Sequence, residues 1–206
     1  MIPSQMEKQK KRIIAKEIQG KKGDRYSSYE EEFEYLITSG ITHATHAISN
    51  PKYPLSESVT KNLLKLYLND VGLLTGILYG NNVRPVLNDM RSINLGSVYE
   101  NAVAQELASH GYKLFYYDNR SKGEVDFLID DHNTISVLPV EVKSGKDYTK
   151  HSALDNLMKI LDYHISSALV LNDDREIRVV NNVTYAPVYN VMFLSAKEQN
   201  PEDLIF

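Results

Sequence analysis

Apolar positions in this chain recur at two periods, and the changes between them divide it into elements. Ile13, Ile14 and Ile18 form a sparse helical stripe from Pro3 to about Gln19, closed by Gly20. Ser27 or Ser28 ahead of Glu30 and Glu31 forms a capping-box signal, and Tyr29, Phe33, Leu36 and Ile37 continue at helical spacing up to Gly40. Ile41–Ile48 is rich in β-branched residues and alternates. Asn50–Pro54 reads as a turn, Leu63–Leu68 as a second strand-like run, and Asp70–Tyr79 as a short helix. A polar segment containing Pro85 then leads to Asn94. Leu95–Gly111 is an amphipathic helix with Val98, Ala102, Val103, Leu107 and Ala108 on one side. Strands follow at Tyr112–Tyr117, Gly123–Ile129 and Thr134–Lys143, then a helix from Ser152 through Leu154, Leu157, Met158 and Leu161. Ser166–Leu171 and Ile177–Val183 read as further strands, and Pro187–Leu194 as a strand or short helix ahead of a polar tail.

The order predicts an α/β protein in two parts. Residues 1–80, with helix, helix and hairpin in sequence, suit a small winged-helix-like α+β domain, though that order also fits other small α+β linker domains. Residues 81–94 read as a linker, and residues 95–206 as an α/β domain around a mixed central sheet. At 206 residues and 42% apolar content the chain can bury a sizeable core, and the absence of cysteine excludes disulfides, thiolate zinc sites and cysteine nucleophiles. A cytoplasmic protein fits best. No apolar run approaches the roughly 20 residues needed to span a bilayer, and the amino terminus is charged rather than signal-like.

The net charge of -4 argues against a protein that coats nucleic acid with its whole surface. Its distribution matters more. Lys8, Lys10, Lys11, Arg12, Lys16, Lys21 and Lys22 concentrate in the first helix and just beyond, as a solvated face or as a patch for phosphates.

Two strands carry acid where a buried sheet would carry none. In Val140-Glu141-Val142-Lys143 the alternation sends Glu141 and Lys143 to one face and both valines to the other. In Glu124–Ile129 it places Glu124 and Asp126 opposite Val125, Phe127 and Ile129. If the turn around Asp131-His132-Asn133 holds an even number of residues, Asp126 and Glu141 face each other across the hairpin; an odd turn without a bulge separates them. Carboxylates of Asp126 and Glu141, the Val142 carbonyl and waters would suit the oxygen shell of Mg²⁺, with Glu100 approaching from the preceding helix. Lys143 would then orient or polarise an attacking water, which is the chemistry of phosphodiester hydrolysis. Glu124 reads as a flanking surface residue, and Asn101 and Gln105 as substrate contacts or surface polarity. His43 and His46 are spaced to point to opposite faces of a strand, which does not suit a metal site.

Glu100, Asp126 and Glu141-Val142-Lys143, on helix, strand and strand, resemble the PD-(D/E)xK core of restriction endonucleases and Holliday-junction resolvases. More closely, Ile2-Pro3-Ser4-Gln5, Asp70-Val71-Gly72-Leu73-Leu74, Gly96–Leu107, Glu124-Val125-Asp126-Phe127 and Glu141-Val142-Lys143-Ser144-Gly145 resemble the carboxy-terminal region of prokaryotic AAA-type ATPases that end in a nuclease-like domain. The resemblance covers nearly the whole chain. It implies a restriction-endonuclease-like second domain, catalytic roles for Glu100, Asp126, Glu141 and Lys143, Mg²⁺ or Mn²⁺ as cofactor, DNA or another nucleic acid as partner, and an ATPase module ahead of the region. No Gly-x-x-x-x-Gly-Lys-Ser/Thr occurs, so ATP hydrolysis is not expected of this chain, which is then a fragment or natural remnant of the longer architecture. The same fold without catalysis would serve as a recognition or assembly element for the ATPase, or as a plain protein-interaction domain.

Overall fold

The computed structural model describes residues 29–59, 63–80 and 95–196. The expected helix at Pro3–Gln19 with its basic residues, the expected linker 81–94 and the end of the polar tail lie outside the described residues.

Helix α1 (Glu30–Thr38) buries Phe33 and packs Ile37 beside it, and Gly40, at φ 72°, ends the turn that follows. Strands β1 (Thr42–Ile48) and β2 (Leu64–Leu68) pair antiparallel. Helix α2 (Val71–Tyr79) starts at Asp70, whose carboxylate accepts the Gly72 N–H at 2.6 Å, and helix α3 (Gly96–Ser109) crosses the sheet. Strands β3 (Leu114–Asn119), β4 (Gly123–Asp131) and β5 (Ser136–Val142) form a meander. Helix α4 (Ser152–Met158) carries the chain to β6 (Ala168–Asn172), which lies parallel to β5. Strands β7 (Arg178–Val180) and β8 (Val183–Pro187) close the sheet, and a 3₁₀ helix spans Val188–Phe193.

The eight strands of the described residues belong to one mixed sheet in the order β2-β1-β3-β4-β5-β6-β8-β7, so the protein is α/β. The hairpin of β1 and β2 is part of this sheet and not a separate wing, because β1 runs parallel to β3, with Thr45 opposite Leu114 and Ile48 opposite Tyr117. One face of the sheet buries Phe127, Ile129, Val140 and Val142 against Val103 and Leu107 of α3. The other buries Tyr117, Val125, Leu128 and Val170 against Leu154 and Leu157 of α4. Val125 and Phe127 therefore face opposite sides, which corrects the simple alternation expected of β4. The physical reason is a β-bulge. Between the pairs Phe115–Leu128 and Tyr117–Val125 the register shifts, leaving Asp126 and Phe127 both opposite Tyr116.

The residues expected to form one strand at Ile177–Val183 are a hairpin instead. Asn181 and Asn182 take φ of 49° and 64°, the left-handed pair that a two-residue hairpin turn needs and that Asn tolerates better than most residues. Pro139 sits inside central strand β5 without loss, because the β5–β6 ladder begins only at Val140 and no partner awaits its missing N–H.

Candidate functional site

Helix α3 shows why the region around Glu100 is unusual. Its buried face runs through Ser97, Glu100, Asn101, Val103, Ala104 and Leu107, so it is turned from the expected apolar side and includes an acid and an amide. Asn101 is fully buried. Its amide accepts the Leu68 N–H at 2.8 Å and donates to the Leu68 carbonyl at 3.0 Å. Gln105 accepts the Val71 N–H at 3.0 Å. Neither residue is a free substrate contact; both tie α3 to β2 and the start of α2. Beside them the Tyr67 hydroxyl donates to Glu100 Oε2 at 3.2 Å.

The hairpin turn decides the next step. Asp131 pairs with Ser136, which leaves an even turn of His132 to Ile135, braced by Asp131 accepting the Asn133 N–H at 3.0 Å. The last laddered pair of β4 and β5 is Phe127–Val140, so Asp126 and Glu141 lie just beyond the end of the ladder. Here the bulge intervenes. The Val142 N–H is taken by Asp126 Oδ2 at 2.8 Å, so a carboxylate stands where a strand carbonyl would otherwise accept. On the next turn of the pleat Lys143 Nζ lies 2.7 Å from Glu141 Oε1. Glu141 is buried, with its side chain 8% exposed, whereas that of Lys143 is 30% exposed. The second oxygen, Glu141 Oε2, is buried without a hydrogen-bond partner among the described residues.

Glu124 joins the group from an unexpected side. Its Oε1 lies 2.6 Å from the ammonium of Lys65 on β2, a lysine only 1% exposed, which also sits 4.5 Å above the Tyr116 ring. The flanking surface residue of the sequence reading is thus half of a largely buried ion pair. Lys65 carried no signal by itself. The recognisable feature was a lysine in an otherwise apolar five-residue run, Leu64-Lys65-Leu66-Tyr67-Leu68, all of it buried.

These groups feel one another. Burial pushes the Glu141 carboxyl up to about 8, the charges of Asp126 and Glu100 push the same way, and Lys143 opposes them. Burial acts against the ammonium of Lys143, but Glu141, Asp126 and Glu100 outweigh it, and its pKa rises. Lys65 is likewise raised, its burial outweighed by Glu124, Glu100 and Asp126 together. The Tyr67 phenol is held well above its ordinary value by burial and by Glu100, Asp126 and Glu124, so it stays a donor. Glu100, Glu124, Asp126 and Glu141 therefore form one electrostatic cluster with Lys65 and Lys143 embedded in it.

The fit to a divalent ion rests on the donor set. Among the described residues no three His, Asp or Glu side chains converge closely enough to enclose an ion. Mg²⁺ needs less than a cage: it is commonly held by one or two carboxylates with waters and substrate phosphates completing the octahedron. Asp126 and Glu141 offer hard oxygens just past the end of the β4–β5 ladder, where Asp126 accepts the N–H of Val142 next to Glu141, and among the described residues Glu141 Oε2 is buried without a hydrogen-bond partner. A pair of this kind fits such a partial site, with Glu100 held by Tyr67 behind it.

Other features stand apart. A cavity of about 510 Å³ is lined by Ile37, His43, His46, Tyr112, Lys113 and Phe115 among others and shares no residue with the cluster. Tyr116 and Tyr117 are fully buried in the sheet. The basic residues Lys8, Lys10, Lys11, Arg12, Lys16, Lys21 and Lys22 lie outside the described residues.

Residues 95–191 match the family model of a domain of unknown function, DUF4143. The matched stretch begins at α3 and ends within the last 3₁₀ helix, so it contains Glu100, Glu124, Asp126, Glu141 and Lys143 but neither Lys65 nor Tyr67. No curated protein and no solved structure matches the chain. Among the described residues no helix is long and apolar enough to cross a membrane.

Proposed function

We propose that the chain is a nuclease-like module that binds nucleic acid and hydrolyses its phosphodiester bonds with a divalent metal, Mg²⁺ or Mn²⁺. The observation that carries this reading is the end of the β4–β5 ladder, where Asp126 accepts the N–H of Val142 and the adjoining Glu141 is ion-paired to Lys143. Asp126 and Glu141 would hold the ion, with the Val142 carbonyl and Glu100 as the further oxygens expected from sequence. When bound, the ion neutralises phosphate charge and acidifies the attacking water. Lys143, partly exposed and fixed by Glu141, holds an ammonium beside the charge that grows on the phosphoryl oxygens. Tyr67 orients Glu100, and the Val142 N–H orients Asp126. The water oxygen bonds to phosphorus as the bond to the leaving oxygen breaks, and the water's proton passes to solvent or a carboxylate of the cluster. The basic amino-terminal residues supply phosphate contacts in this reading, a cytoplasmic setting suits the cysteine-free chain, and the match to DUF4143 is consistent with a carboxy-terminal region accompanying an AAA-type ATPase module.

Purified protein with Mg²⁺ or Mn²⁺ should cleave DNA, and Asp126→Asn or Lys143→Ala should abolish cleavage while thermal melting shows a folded chain. Cleavage that persists in both variants overturns the site. A second reading is favoured by the absence of three converging ligands among the described residues: the same fold as an inactive recognition or assembly module. It predicts salt-sensitive nucleic-acid binding without cleavage, weakened by neutralising Lys10, Lys11 and Arg12.

A further inference from the structure

Where β1 outruns β3 the sheet leaves a notch. Thr42, His43 and Ala44 pair with Leu68, Tyr67 and Leu66 of β2, but the β1–β3 ladder begins only at Thr45 and Leu114. The cavity of about 510 Å³ opens beside this stretch, with a volume in the range of small-molecule sites. Its wall is mixed. Phe115 and Tyr112 contribute rings, and His43 and His46 two imidazoles. In a chain of net charge -4, no Asp or Glu is among the described residues that line it, whereas Lys113, exposed to solvent, is.

Two polar atoms in this wall lack partners. Thr42, 2% exposed, keeps its hydroxyl oxygen buried without a hydrogen bond among the described residues, and His43 does the same with Nε2. Such groups are costly in a folded chain, and a ligand that completes them would account for their retention. Both atoms are closed off as the cavity stands, so a ligand meets them after rotation of Thr42 about χ1 or a turn of the His43 ring. Side-chain changes of this size are common on binding.

The aromatic walls favour a planar ring, and the unpartnered groups favour one with nitrogen or oxygen at its edge. A lysine without opposing acids favours an attached anion. We propose that this cavity is a nucleotide-binding site, taking a base against its rings and a phosphate toward Lys113, from a free nucleoside monophosphate or from the end of a nucleic-acid strand. It shares no residue with the carboxylate cluster and does not rest on the metal-dependent reading.

The test is titration calorimetry of the full chain in EDTA, which keeps divalent ions out of the measurement. The probes are the four 5′-ribonucleoside monophosphates, their nucleosides, ribose 5-phosphate and a 5′-phosphorylated DNA pentamer. At least one monophosphate should bind, with its nucleoside and ribose 5-phosphate each weaker by about 10-fold or more. Lys113→Ala should weaken that monophosphate by about 3- to 10-fold and leave its nucleoside unchanged. Thr42→Val, the same shape without the hydroxyl, should weaken it by about 3- to 10-fold while raising the melting midpoint, because the buried unpaired group is gone. A threonine with a structural role alone would lose no affinity. A pentamer bound more tightly than the monophosphate, with the same loss in Lys113→Ala, assigns the site to strand ends; otherwise the ligand is the free nucleotide. No binding by any monophosphate, ribose 5-phosphate binding as tightly as all of them, or unchanged affinity in Lys113→Ala or in Thr42→Val overturns the proposal.

Discussion

Asn101→Ala isolates the joint between the two parts of the site. Among the described residues strand β2 lies at the edge of the sheet, and the Asn69 N–H donates to the carbonyl of Ile41 just ahead of β1, so the Leu68 N–H and carbonyl face outward. The buried Asn101 amide completes both, at 2.8 and 3.0 Å. Alanine leaves a donor and an acceptor without these partners in a buried place, at about 1–3 kcal/mol each. Some hydration of the edge lowers the total, so the expected loss is about 2–4 kcal/mol. For a chain of this length that corresponds to a fall in melting midpoint of roughly 5–15 °C. Equilibrium urea denaturation gives the free energy directly, and hydrogen exchange should show the Leu68 amide losing protection more than amides of β4. Asn101→Asp should cost at least as much, because it keeps an acceptor for the Leu68 N–H but sets a carboxylate against the Leu68 carbonyl and near Glu100. A loss under about 1 kcal/mol for Asn101→Ala, or an Asn101→Asp chain as stable as the wild type, would refute the clasp as a structural element.

The remaining predictions are local. In metal-free protein, a Glu141 pKa raised from 4.5 to about 8 means that the unfolded chain releases a proton the native state retains, so stability falls as pH rises from about 4.5 to about 8. The slope should approach about 1.4 kcal/mol per pH unit within that window, and melting curves of Glu141→Gln should lack this component; parallel pH profiles for the two chains would sink the assignment. Gly123→Ala should destabilise by about 1–3 kcal/mol, since its φ of 102° disfavours a side chain and a Cβ would come within 2.8 Å of the Ala153 Cβ. Gly76→Ala, with open space at the same construction inside α2, should instead stabilise by about 0.5–1 kcal/mol, and the pair can be read from one set of thermal melts.

Local pattern was enough for what depends on neighbours along the chain. The helical spacing of Tyr29, Phe33 and Ile37 and of Leu154 and Leu157 specifies which face packs, and β-branched alternation places β1 and the meander to within a few residues. The acids of Asp126, Glu141 and the lysine at 143 were legible because charge inside an apolar strand is costly and therefore conspicuous. Two features of the sheet were not legible from local pattern. The bulge at Asp126-Phe127 depends on register against β3, and no single strand states its partner's register. The Asn181-Asn182 turn was hidden because the residues around it keep a strand-like composition, although two adjacent asparagines do offer the left-handed backbone such a turn demands.

Lys65 is the clearest division between the two sources. Sequence determined that a lysine interrupts an apolar run, that Glu124 and Asp126 alternate with Val125, and that Glu100 lies early in an amphipathic helix. Only the tertiary structure decided that these meet, because parallel pairing of β1 with β3 brings β2 into the sheet and lets Lys65 reach Glu124 on β4, 59 positions further along the chain. Side-chain charge is a property of the residue, but whether it is solvated, paired or trapped among other charges is a property of which strands become neighbours.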